Sequence, residues 1–111
     1  MTAITTHVLD TAAGLPAAGV AVALEVRTDA GWQRLGDGVT DDDGRVRDLG
    51  PDTVAAGQYR LTFGTGAYFA AIGTRSFFPE VTVTFVIDDP TRHHHVPLLL
   101  SPFAFSTYRG S

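Results

Sequence analysis

Val81-Thr82-Val83-Thr84-Phe85-Val86-Ile87-Asp88 decides the fold class. Val81, Val83, Phe85 and Ile87 fall on every second position, with Thr82, Thr84, Val86 and Asp88 between them. A period of two sends alternate side chains to opposite faces of an extended strand, and β-branched and aromatic residues suit a pleated surface covered on one side. The same period runs through Val20, Val22, Leu24 and Val26, with Ala21, Ala23, Glu25 and Arg27 between them. It returns in Tyr59, Leu61 and Phe63, separated by Arg60 and Thr62. Glycine, proline and aspartate punctuate the gaps at Gly14-Leu15-Pro16, Asp29-Ala30-Gly31, Asp41-Asp42-Asp43-Gly44, Gly50-Pro51-Asp52 and Asp88-Asp89-Pro90. The pattern predicts roughly seven or eight short strands, near 4–10, 20–28, 32–36, 45–49, 58–63, 81–88, 93–100 and 103–109. Half-buried antiparallel strands at that spacing build a β-sandwich or barrel. One segment departs from the pattern: Gly66 to Gly73, holding Ala67, Tyr68, Phe69, Ala70, Ala71 and Ile72, is expected to form a short helix between two glycines. No linker, internal repeat or low-complexity tract interrupts the chain, so residues 1–111 are expected to form a single domain.

Composition narrows the function classes. A chain of 111 residues with 44% hydrophobic side chains can build a core without covalent staples. The absence of cysteine excludes disulfides, thiolate metal sites and cysteine nucleophiles. Net charge is -4, and the eight basic residues are all arginine, scattered without a run or stripe. Neither nucleic acid nor an anionic membrane surface is therefore an expected partner. No apolar stretch approaches the roughly 20 residues of a membrane span. Met1-Thr2-Ala3-Ile4-Thr5-Thr6-His7 lacks the charged and apolar regions of a secretory signal, so the cytoplasm is the expected location.

Arg92-His93-His94-His95-Val96-Pro97-Leu98-Leu99-Leu100 holds three of the four histidines. Strand alternation sends His93 and His95 to one face and His94 to the other, which continues as Val96, Leu98 and Leu100 and reads as core. A purification tag would stand at a terminus. Two imidazoles at i and i+2 can share a metal ion, but zinc wants three or four ligands and only one further histidine exists. On local grounds a solvated strand end reads best. His7 is an ionisable residue within an apolar strand, where a hydrogen-bonded structural role is the ordinary one. Arg45 reads as a surface residue opening a strand. Asp41-Asp42-Asp43-Gly44 lacks the full calcium-loop pattern and reads as an acidic turn. Ser101 and Ser106 have no nucleophile-elbow context.

Taken together these residues resemble a known family. His7-Val8-Leu9-Asp10-Thr11 with Gly14-Leu15-Pro16-Ala17 resembles the opening of the transthyretin-like proteins. Gly44-Arg45-Val46, Tyr59-Arg60-Leu61-Thr62-Phe63 and Phe77-Phe78-Pro79-Glu80 continue the match in order. His93 through Pro102 and the ending Tyr108-Arg109-Gly110-Ser111 are its most specific part, and are similar to the branch that hydrolyses 5-hydroxyisourate in urate breakdown. The resemblance spans about residues 4 to 111. The hormone-carrier branch has lysine where His7 stands and lacks the Tyr-Arg-Gly-Ser ending.

The resemblance implies an all-β, transthyretin-like β-sandwich of two four-stranded antiparallel sheets with one short helix. It implies a homotetramer, a dimer of dimers paired through edge strands, with sites in the channel between dimers. It implies His7, Arg45 and His95 as catalytic residues, with only His95 of the triplet on the family's catalytic position. Tyr108, Arg109, Gly110 and Ser111 would shape the pocket and bind substrate, with Ser111 offering a hydroxyl and a carboxylate. No cofactor and no metal are implied. Neutral imidazoles suit such chemistry as bases near pH 7, and an arginine stays charged to meet an oxyanion. A carrier of a small aromatic ligand and a structural β-sandwich module are the competing classes; His7 with the Tyr-Arg-Gly-Ser ending weighs against the carrier, and a free chain with its own start and ending is not expected of a module.

Overall fold

Ile4, Thr6, Val8 and Asp10 of the first strand, β1 (Ile4–Asp10), are buried, while Thr5, His7 and Leu9 between them are partly exposed. The alternation fixes which face of β1 meets the core and which is left for chemistry. The protein is described by a computed structural model covering residues 2–111. After β1 come β2 (Leu15–Pro16), β3 (Ala21–Thr28), β4 (Gly31–Val39), β5 (Gly57–Phe63), α1 (Thr65–Ala71), β6 (Val81–Ile87), β7 (His94–Ser101) and β8 (Ala104–Thr107). They form two four-stranded sheets, ordered β2-β1-β7-β8 and β4-β3-β5-β6. The expected sandwich with one short helix is present, and α1 lies within the Gly66–Gly73 region to within a residue of its start.

Three details correct the expectation. The sheets are not wholly antiparallel, because β1 and β7 run parallel, with Thr5 opposite His95 and His7 opposite Pro97. A parallel pair needs a long crossover. In this fold the crossover is the entire opposite sheet, which the chain completes before returning at β7. Second, residues 45–49 form no strand. Arg45 makes a single antiparallel bridge to His7. Gly44 at φ +77° and Asp48 at φ +55° then turn the backbone on either side, so no run is long enough to pair. Val46 and Leu49 are buried from this loop, and their apolar character marks burial rather than strand pairing. Third, Leu15–Pro16, expected as turn, pairs with Leu9 and Asp10 as a short edge strand.

The core lies between the sheets. Val8, Leu98 and Leu100 from one sheet meet Leu24, Leu61 and Phe63 from the other, all fully buried, and α1 adds Phe69. Asp10 is buried but fully partnered: its Oδ1 accepts the N–H groups of Ala12 and Ala13, and its Oδ2 accepts the Tyr68 hydroxyl at 2.7 Å. One carboxylate thus ties α1 to the end of β1 and the turn that follows. Burial and the neighbouring Asp10 push the Tyr68 phenol up to about 12. No helix among the described residues is long and apolar enough to cross a membrane. All four residues of the edge strand β8 are exposed, as is Val86 on edge strand β6.

Leu98 has no exposed surface and stands in the middle of β7. Leu98→Ala should destabilise the fold by about 2–5 kcal/mol, read from the urea midpoint. A loss well below 1 kcal/mol would mean that Leu98 does not face the core between the sheets.

Candidate active site

The β1–β7 register assembles the site from residues almost the whole chain apart. Thr5 and His7 on β1 share the outward sheet face with His95 and Pro97 on β7. The histidine triplet divides as alternation requires. His94 turns inward and is 96% buried; its Nδ1–H donates to the Arg92 carbonyl at 2.9 Å, and its Nε2 is buried without a partner. His93 and His95 stay on the outer face, each with a ring nitrogen 2.8 Å from Thr5 Oγ1.

The acidic turn supplies the third group. Asp41 Oδ1 accepts the N–H groups of Asp43 and Arg45, and the Asp41 N–H donates to the Arg45 carbonyl at 2.8 Å. These backbone donors, the Arg45 N–H first, hold the Asp41 carboxyl below its usual range. Gly44 lets the turn close against β1: its φ is +77°, its carbonyl accepts the Val8 N–H at 2.8 Å, and a Cβ there would collide with the Val8 carbonyl oxygen. Arg45 is thereby bridged to His7. Ion pairs among the described residues join Arg34 to Asp37, Arg47 to Asp41 and Arg60 to Glu25, which leaves the Arg45 guanidinium available to a ligand.

These elements enclose an open cavity of about 470 Å³ whose wall includes Thr5, Asp41, Arg45, His93, His95 and Ser111. His7 is not part of that wall. It flanks the cavity from the next outward position on β1. Partial burial comes first in lowering the His95 pKa below its ordinary 6.5, and the charges of Arg45, His7 and His93 add to it. A lowered value keeps the ring neutral, and able to take a proton, at neutral pH.

The C-terminal tetrad divides. The Gly110 N–H donates to the His95 carbonyl at 2.8 Å, and a Cβ on Gly110 would sit 2.6 Å from His95 Cδ2, so only glycine lets the tail lie against the ring. Ser111 reaches the main cavity. Tyr108 and Arg109 instead line a second cavity of about 250 Å³, between the tail and β6, with Phe85 and His94 in its wall. The structure therefore brings Arg45, His95 and Ser111 to one cavity, sets His7 beside it, and places Tyr108 and Arg109 away from it. Thr5, Asp41 and His93 were missed as members of the cavity wall. Thr5 could have been found, because it precedes His7 by one strand period. Among the described residues no group of three or more histidine and acidic side chains is placed to hold a metal ion.

A two-sheet sandwich with one short helix, carrying imidazoles and a guanidinium on an outward sheet face, defines a transthyretin-like protein. The chain belongs to the HIUase/Transthyretin family, which it matches over residues 4–110. It is 50% identical to a 5-hydroxyisourate hydrolase of Salmonella dublin, over 97% of this chain and 80% of that protein. Among solved structures it is similar to the 5-hydroxyisourate hydrolase of Klebsiella pneumoniae at a TM-score of 0.85, with 40% identity over 97% of this chain and 92% of that one. It is also similar to sea bream transthyretin in complex with thyroxine, at a TM-score of 0.91, with 34% identity over 96% of this chain and 93% of that one.

In an NMR titration the His95 ring should take up its proton below pH 6.5, its ordinary midpoint. Arg45→Gln should move that midpoint upward without restoring it fully, because burial remains. A midpoint unchanged in Arg45→Gln would mean that the guanidinium does not act on His95.

Proposed function

We propose that this chain hydrolyses 5-hydroxyisourate, opening its six-membered ring with water to give 2-oxo-4-hydroxy-4-carboxy-5-ureidoimidazoline in urate catabolism. The observation that carries the reading is the grouping of His95, His7 and the Arg45 guanidinium on one outward sheet face around an open cavity. A ligand carrier needs no imidazole base there, and the relatives named 5-hydroxyisourate hydrolase support the chemistry.

The steps follow from the groups. Neutral His95, with His7 beside it, takes a proton from water as the water oxygen bonds to the ring carbonyl carbon. Arg45 meets the oxyanion that forms on the carbonyl oxygen. The adjacent carbon–nitrogen bond then breaks, the carbon becoming a carboxyl group and the nitrogen receiving the proton. Gly110 and Ser111 place the tail against His95 and the cavity rim, while Tyr108 and Arg109 line the second cavity. No cofactor or metal takes part in this scheme. We further propose a homotetramer, a dimer of dimers, in which the bare edges of β6 and β8 are covered by a partner. The lack of cysteine suits the reducing cytoplasm as the place of reaction.

Substrate generated fresh from urate with urate oxidase should lose its near-ultraviolet absorbance much faster with the protein than alone. No acceleration by a folded tetramer would move the assignment to a ligand carrier. His95→Ala and His7→Ala should each cut turnover by at least about 100-fold while the tetramer persists in sedimentation. Wild-type turnover in either variant would remove that histidine from the proton-transfer steps. A chelator should leave activity unchanged, whereas a loss that zinc restores would assign His93 and His95 to a metal.

A further inference from the structure

Thr5 has one hydroxyl proton and two imidazole neighbours. Its Oγ1 lies 2.8 Å from His93 Nε2 and 2.8 Å from His95 Nδ1. A hydroxyl donates once and accepts twice. Thr5 therefore cannot donate to both rings, and at least one ring must present an N–H. When the hydroxyl donates to one ring the other ring must donate to it, and the tautomers of the two histidines are then tied through this atom. In one arrangement His95 Nδ1–H donates to Thr5 Oγ1, the Thr5 O–H donates to His93 Nε2, and His95 Nε2 is left as a bare acceptor. In the reverse arrangement His93 Nε2–H donates to Thr5, Thr5 donates to His95 Nδ1, and His95 presents an Nε2–H. The first leaves His95 Nε2 free to take a proton, and the second lets it give one up as Thr5 returns a proton to Nδ1.

We propose that Thr5 is a positioning and proton-relay residue that joins His95 to His93, so that His95 changes from base to acid within one turnover. The proposal rests on the hydrolase reading above. His95 Nε2 takes a proton from the attacking water, and the ring is briefly cationic. Its Nδ1 proton passes to Thr5 Oγ1 while the Thr5 proton passes to His93 Nε2. His95 is then neutral, with Nε2–H available to the leaving nitrogen, and His93 holds the charge. As the leaving nitrogen takes that proton, the one on His93 returns through Thr5 to His95 Nδ1 in the same step, which keeps His95 neutral and restores the resting arrangement. Atoms and charge balance at each step.

The placement favours this direction. A cation on His95 faces Arg45 and His7, which oppose it, with Asp41, Asp43 and Arg47 farther around the same cavity. His93 is exposed, where water solvates the charge. Neither ring has another side-chain partner among the hydrogen bonds of the described residues, so Thr5 alone connects them.

The test separates the hydroxyl from its methyl. Thr5→Val keeps the shape of the side chain and should lower kcat by about 10- to 100-fold with KM nearly unchanged, whereas Thr5→Ser should restore kcat to within about threefold. His93→Phe should resemble Thr5→Val, and the double variant should be no slower than Thr5→Val alone. Wild-type kcat in Thr5→Val, or losses that multiply in the double variant, would overturn the relay. Nitrogen-15 spectra read the chain without activity. Neutral His95 should carry its proton on Nδ1 in the resting protein and shift toward Nε2–H in Thr5→Val. A ring already on Nε2–H, or one indifferent to the substitution, would overturn the tie. If the wild-type protein does not hydrolyse 5-hydroxyisourate, the hydrolase reading falls and the spectra still decide the hydrogen-bonded chain.

Discussion

Thr5 and His95 are 90 positions apart in the chain, yet they stand side by side because β1 and β7 pair in parallel. That pairing carries the outward face of the sheet and, with it, the relation of His7 to His95. Slipping it by one residue would turn His95 inward and His94 outward, since a strand has a period of two. The core side of the same strands resists the slip. Val8 and Leu98 are opposite each other and fully buried, and a slip of either strand would turn its buried residue out of the core. Packing between the sheets thus specifies the geometry of groups that do not themselves belong to the core.

The other half of the site is held by hydrogen bonds rather than by packing. Asp41 gathers the N–H groups of its own turn, Gly44 lets that turn touch β1, and Arg45 is delivered beside His7. The chain tail closes the third side through Gly110 on His95. A guanidinium beside a half-buried imidazole raises the cost of charging that imidazole. The same guanidinium favours an oxyanion on a ligand. Each effect follows from one positive charge held in place, and together they bias the site toward a neutral base meeting a developing negative charge.

Most of this fold was legible in the residues. The period of two in β3, β5 and β6 marked strands close to their observed bounds, and the glycine-flanked segment 66–73 marked the helix. The failures share a physical cause: local pattern reports burial, not partners. Val46 and Leu49 look like strand residues because they are buried, although a loop carries them. The direction of β7 against β1 has no local signature at all, since it is set by the path through the opposite sheet. Within the site, alternation separated His94 from His93 and His95 correctly. His7, Arg45, His95 and the tail stood out through family resemblance rather than through any local feature. Thr5 went unnoticed because a threonine on an outward strand face is ordinary until its two neighbours are known. The division of Tyr108 and Arg109 from Ser111 depends on how the tail crosses β7, which no spacing reveals.

The long crossover between β1 and β7 has a kinetic corollary. A contact that closes nearly the whole chain forms late, because the entropy of bringing distant ends together must be met before the pairing rewards it. Sheet β4-β3-β5-β6 is made of neighbours in sequence, apart from the loop and helix it carries, and can condense on its own account. The first and last strands come together around it. Strand pairing within β4-β3-β5-β6 can thus precede the site in a refolding chain, because the sheet that carries the site, β2-β1-β7-β8, is made of the first and last strands.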